Sequence, residues 1–126
     1  MSITISLINY CPVKSVSFQS IDICEIKKNI GIVGDRIFAF AKDMNTESAL
    51  LFEKNPEERK GKWNKFLTLK NSPVLNKYNF LFKENKLTLM SKDKEVLTIN
   101  VNKLSERQLL SNKIIELENS LKEPIV

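Results

Sequence analysis

Tyr78-Asn79-Phe80-Leu81-Phe82-Lys83-Glu84-Asn85-Lys86-Leu87-Thr88-Leu89 is the stretch that decides the fold. Tyr78, Phe80 and Phe82 recur at every second position, and Leu87 and Leu89 do the same after a break. That period of two is the mark of strands with one buried face. Glu84 and Asn85 leave room for a short hairpin link, and Ser91 to Lys94 form a second link before Leu97, Ile99 and Val101. A run of antiparallel strands joined by hairpins is therefore predicted over the second half of the chain.

The same signal extends towards the N-terminus. Ile3, Ile5 and Leu7 alternate with Thr4 and Ser6, which predicts an opening strand. Phe18, Ile21, Ile23 and Ile26 form an imperfect second run that suggests a bulge. Asn29 to Gly34 carries turn chemistry and two of the three glycines, so the chain reverses there and delivers Asp35 and Arg36 to a strand start. Ile37 to Ala41 is apolar on both faces, as a central strand would be, and Phe66 to Leu69 gives a further strand signal.

Two helices interrupt or end this pattern. Asn45 or Thr46 can cap a helix through Ala49, Leu50, Leu51 and Phe52, followed by a polar loop from Pro56 to Lys65. Near the C-terminus Ser105 and Gln108 have capping-box spacing behind the staple candidate Leu104. Leu110, Ile114, Leu117 and Leu121 make one apolar stripe, so an amphipathic helix is predicted to run to Pro124 and to pack on the strands. The fold class that results is mainly β: a small barrel of about six to seven strands, OB-like, SH3-like or a half-barrel under the last helix, with a helical insertion.

Composition narrows the function. With 126 residues, 42% apolar content and a net charge of +5, the chain suits one soluble domain, too short for most enzymes. No apolar run approaches the ~18 residues of a spanning helix, and no basic start is followed by an apolar stretch, so neither membrane insertion nor secretion is expected and the cytoplasm is the default expectation. Histidine is absent and the cysteines are only Cys11 and Cys24. A Cys/His zinc site, a Ser-His-Asp triad and imidazole acid-base chemistry are all excluded. The two thiols read as unbridged, inert small hydrophobes in a reducing compartment. Of the twenty basic residues only Arg36, Arg59 and Arg107 are arginine, so the positive balance suits exposed lysines such as Lys83, Lys86, Lys92, Lys94 and Lys103 better than a nucleic-acid stripe. Scarcity makes each arginine informative.

Particular motifs say more. Tyr10-Cys11-Pro12-Val13-Lys14-Ser15, followed by Gly34-Asp35-Arg36, resembles the N-terminal β-barrel domain of the MOSC (molybdenum cofactor sulfurase C-terminal) family, as in mitochondrial amidoxime-reducing component-like proteins. The likeness continues through Phe66-Leu67-Thr68, Ser72-Pro73-Val74-Leu75 and Lys86-Leu87-Thr88-Leu89, and so covers roughly residues 3 to 101. It implies a module that binds the molybdenum cofactor (Mo-molybdopterin), with Lys14, Ser15 and Arg36 contacting the pterin, mainly at its phosphate. A point charge, a short hydroxyl and a planar guanidinium fork suit a phosphate. Without the resemblance, these three are simply solvated side chains, and Asp35 with Arg36 a local ion pair; with it, Asp35 orients the arginine or the turn.

The chain also departs from that family. Lys70 and Asn71 stand where relatives have an Arg-Gln pair, residues 44–64 look like an insertion, and neither Cys11 nor Cys24 matches the molybdenum ligand. The implied organisation is a barrel over residues 1–103 and a C-terminal helix over 104–126 that could connect to a MOSC domain acting in cis or in trans. Full-length relatives are molybdenum-dependent oxidoreductases or sulfur transferases. This half alone would bind the cofactor only partially and would not be catalytic. The alternatives are an OB-like nucleic-acid-binding module, which would need stacking aromatics interleaved with arginine, and a non-catalytic structural scaffold; neither nucleic acid nor membrane is the expected partner.

Overall fold

Tight turns build the central sheet. In a computed structural model that describes residues 2–42, 44–119 and 121, β5 (Tyr78–Lys83), β6 (Lys86–Ser91) and β7 (Lys94–Asn100) form an antiparallel meander. Glu84 and Asn85, and then Lys92 and Asp93, all have φ between 50° and 63°. Two consecutive left-handed residues make the turn whose twist matches that of the flanking strands. The resulting register sets Phe80 opposite Leu89, Phe82 opposite Leu87 and Leu87 opposite Ile99, with a bulge between Leu89 and Met90. Phe80, Leu87, Leu89 and Ile99 are buried on the inner face. On the outer face the hydroxyls of Thr88 and Thr98 meet at 2.9 Å. The lysines at 83, 86, 92, 94 and 103 are exposed.

The inner face is covered by α2 (Leu104–Leu117), whose Leu110 and Ile114 are buried in the same cluster as Phe80 and Leu89. The helix stops at Leu117, and Leu121 enters the core from the segment beyond it. Pro124, where the helix was predicted to stop, lies outside the described residues. The capping box is not formed. Ser105 lies inside the helix, the cap position is Lys103, and the side chain of Glu106 accepts the Asn100 N–H at 3.2 Å, which fastens the first turn to the end of β7. Gln108 instead donates to Asn112 at 3.1 Å.

The N-terminal strands are shorter than predicted. β1 (Ile8–Tyr10) pairs with β2 (Gln19–Ile21), and β3 (Ile26–Lys27) with β4 (Gly31–Ile32) around the expected reversal. Residues 3–7 are not a strand: β2 ends at Ile21, opposite Ile8, which leaves them no edge to pair with. Ile3, Ile5 and Leu7 are accordingly 92%, 71% and 64% exposed. Residues 37–41 and 66–69 form no extended ladder either. Single bridges, Val13 to Phe38 and Ala41 to Phe66, carry those segments, and a further bridge, Ser17 to Asn79, joins the first hairpin to the meander. Among the described residues the three antiparallel sheets are thus not closed into a barrel, because isolated bridges stand where continuous ladders would be needed. The fold is a small arrangement of antiparallel sheets with two α-helices.

The second helix of that count, α1 (Thr46–Lys54), sits in the 44–64 segment as predicted, with the Asn45 side chain accepting the Ser48 N–H at 2.8 Å. Two 3-10 turns, Pro56–Arg59 and Trp63–Lys65, follow it. No helix among the described residues is long and apolar enough to cross a membrane.

Candidate functional site

The Pro12-Val13-Lys14-Ser15 and Gly34-Asp35-Arg36 motifs lie side by side. A seam of backbone hydrogen bonds joins them: Arg36 N–H donates to Cys11 O at 2.6 Å, Phe38 N–H to Pro12 O at 3.0 Å and Lys14 N–H to Phe38 O at 2.8 Å. The bridge at Val13 and Phe38 is parallel. The reversal at Asn29 to Gly34 predicts that the strand following Ser15 pairs with the one beginning at Arg36, bringing Lys14, Ser15 and Arg36 together. It is the segment preceding Ser15 that does so, because Ser15 itself turns the chain away with φ of 69°.

The Asp35 carboxylate locks this seam. One oxygen accepts the Cys11 N–H at 2.8 Å and the other accepts Arg36 Nε at 3.0 Å. Gly34 precedes it at φ 89°, a conformation that glycine adopts without steric cost. The Arg36 side chain remains 71% exposed, so its pairing with Asp35 orients the guanidinium more than it stabilises the fold. Cys11 is buried, and its thiol hydrogen lies within reach of the Val13 carbonyl at 2.8 Å and that of Val16 at 3.4 Å. Burial pushes that thiol above its ordinary range, which suits a packed side chain rather than a thiolate ligand. Cys11 and Cys24 are both free.

Lys14 and Arg36 share an open cavity of about 290 Å³. Ser15 adjoins Lys14 in the chain but does not line it. Two residues not singled out as site candidates line it as well: Arg59, from the 3-10 turn after α1, and Arg107, from α2. All three arginines of the chain therefore face one cavity. Their scarcity was the signal that could have found them. Arg59 is held by its Nε, which donates to the Phe52 carbonyl at 2.8 Å. Arg107 directs Nη1 and Nη2 to one oxygen of Glu53, at 3.2 and 3.3 Å. Between these polar groups the walls are apolar, with Phe52 and Phe66 as a tilted ring pair 6.2 Å apart.

Other expectations resolve simply. Asn71 makes a local turn, accepting the Thr68 N–H at 2.9 Å and donating to Phe66 O at 3.1 Å, which engages its amide within the backbone. Tyr78 and Phe80 are buried, and Phe82 packs edge-on to Phe38 at 5.2 Å, so these rings face the core rather than offering stacking platforms. Among the described residues no cluster of His, Cys, Asp or Glu could hold a metal ion. Comparison with family models, with curated proteins and with solved structures returns no significant match.

Proposed function

We propose that the chain is a cofactor-binding module of a molybdenum-cofactor protein, in which Lys14, Ser15 and Arg36 hold the molybdopterin phosphate and a MOSC domain, in cis or in trans, completes the site. The observation that carries this reading is the seam between residues 11–14 and 36–38, with Lys14 and Arg36 on one cavity. A flexible ammonium and a guanidinium oriented by Asp35 are a donor set suited to a phosphate. The metal's ligand would come from the partner domain. When bound, the cofactor supplies the redox or sulfur-transfer chemistry of the complete protein; this half binds and orients. On the same reading the bridged sheets are an open variant of the family's barrel, and the module works in the cytoplasm.

The test is an NMR titration of the chain with inorganic phosphate. Amides of residues 13–16 and 35–37 should shift, with a dissociation constant near the millimolar range expected for two or three charge-assisted hydrogen bonds after the cost of association. Arg36→Ala and Lys14→Ala should each weaken that response and leave the fold intact. Silent amides in those two segments overturn the reading.

A further inference from the structure

We propose that the cavity between α1 and α2 binds an amphipathic monoanion, a single carboxylate on a compact apolar body, with Arg107 and Arg59 as its anchors. This proposal does not rest on the pterin reading.

The cavity is built of two unlike parts. Phe52, Phe66, Leu50 and Leu104 give it apolar walls, while Arg59 and Arg107 bring charge from two different elements. Apolar surface with a few convergent polar groups is the general character of small-molecule sites. Its volume of about 290 Å³ is roughly twice the ~150 Å³ of a cavity that accepts benzene, enough for a chain of about eight carbons.

Arg107 carries an unmet donor. Its side chain is only 15% exposed, and its Nε is buried without a hydrogen-bond partner. Glu53 receives both terminal nitrogens on one oxygen, a fork that leaves the guanidinium incompletely satisfied. Arg59 donates its Nε to a backbone carbonyl, so among the described residues no carboxylate neutralises it. An incoming carboxylate can take the place of Glu53 on Arg107 and pair with Arg59 as well. Glu53 lies against Arg107 and disfavours a second negative charge there, so between Arg59 and Arg107 a monoanion fits better than a dianion. Because Glu53 competes for Arg107, the ligand displaces an exposed glutamate rather than a buried one.

The experiment uses the whole chain and three probes followed by NMR: octanoate below its micellar range, octanol and inorganic phosphate. Octanoate should shift amides of residues 37–41, 49–53 and 104–107, and octanol, which lacks the charge, should bind at least about tenfold more weakly. Arg107→Gln should weaken octanoate about tenfold, and Glu53→Gln should tighten it. Equal binding of octanoate and octanol, unchanged binding by Arg107→Gln, or silence at those amides overturns the proposal. If Arg107→Gln does not fold, Glu53→Gln decides: affinity that is unchanged or reduced is the overturning result. Arg36→Ala separates the two readings, since it should weaken the phosphate response at residues 35–37 and leave the octanoate response at residues 104–107 in place.

Discussion

Asp35 accepts the backbone N–H of Cys11, 24 residues earlier in the chain, at 2.8 Å. The donor is buried and the acceptor is charged, a combination whose loss leaves a polar group without water or partner.

Asp35→Ala should therefore cost about 2 kcal/mol. Asp35→Asn, which keeps an acceptor for Cys11, should cost less. Urea unfolding with an unchanged slope reads the difference. An alanine variant as stable as the parent would show that the seam holds without this carboxylate.

The end of α2 is tied to the start of β5 by Tyr78 Oη, which donates to Glu118 at 2.7 Å, and by Lys77 at 3.1 Å from the same oxygen. Burial, then the Glu118 contact, pushes the Tyr78 hydroxyl up to about 12, while the Tyr78 and Lys77 hydrogen bonds hold Glu118 below its ordinary value. The Glu118 contribution is present above the usual carboxylate range and is lost as pH falls through its lowered value. That of Tyr78 is complete below pH 10 and is lost as pH rises towards 12. Tyr78→Phe should lower stability by about 1 kcal/mol near neutrality and shrink the alkaline limb of a Tm-against-pH profile, leaving the part due to Cys11.

Glu84 and Asn85 hold left-handed conformations that cost an L-residue energy, glutamate most of all. Glu84→Asn combined with Asn85→Gly should raise stability by about 1 kcal/mol, read as a shift in thermal midpoint with the β5–β6 register intact. A lower midpoint would mean that the present side chains make stabilising contacts beyond the turn.

Thiol labelling should be biphasic. Cys24 is partly exposed and Cys11 is buried with its thiol raised, so a disulfide reagent should modify Cys24 first and reach Cys11 only as the native structure opens. Simultaneous labelling would mean that the seam opens far more readily than its hydrogen bonds suggest.

The meander could be read from the sequence because its information is local: Phe80 and Leu89 alternate correctly, and the turn between them is two residues long. Asn45 could be read as a cap for the same reason. Ile3 and Ile5 misled because alternation reports a surface that could pair, while pairing needs an edge, and β2 stops at Ile21. Ser105 and Gln108 misled because spacing cannot show that Asn100 and Glu106 have already fixed the helix start two residues earlier, with Lys103 at the cap. At the site, the adjacency of Lys14 and Arg36 is predicted by the reversal at Asn29 to Gly34, though through the segment after Ser15 rather than the one before it, whereas the convergence of Arg59 and Arg107 depends on how the turn after α1 meets α2 and leaves no trace in either segment alone.

The tie between β1 and β5 has a consequence for the order of folding. β5 to β7 close through neighbouring residues, whereas Tyr10 Oη accepts the Phe82 N–H across 72 positions of chain. Short loops close early and long ones late, so the meander with α2 should form the folding nucleus, and substitutions at Leu87 or Leu89 should slow folding where those at Val13 mainly hasten unfolding. During synthesis this order is reversed relative to emergence from the ribosome. The segments carrying Lys14 and Arg36 are made first yet have no surface to dock on until Phe82 and its neighbours follow, so the candidate site is among the last parts of the molecule to mature.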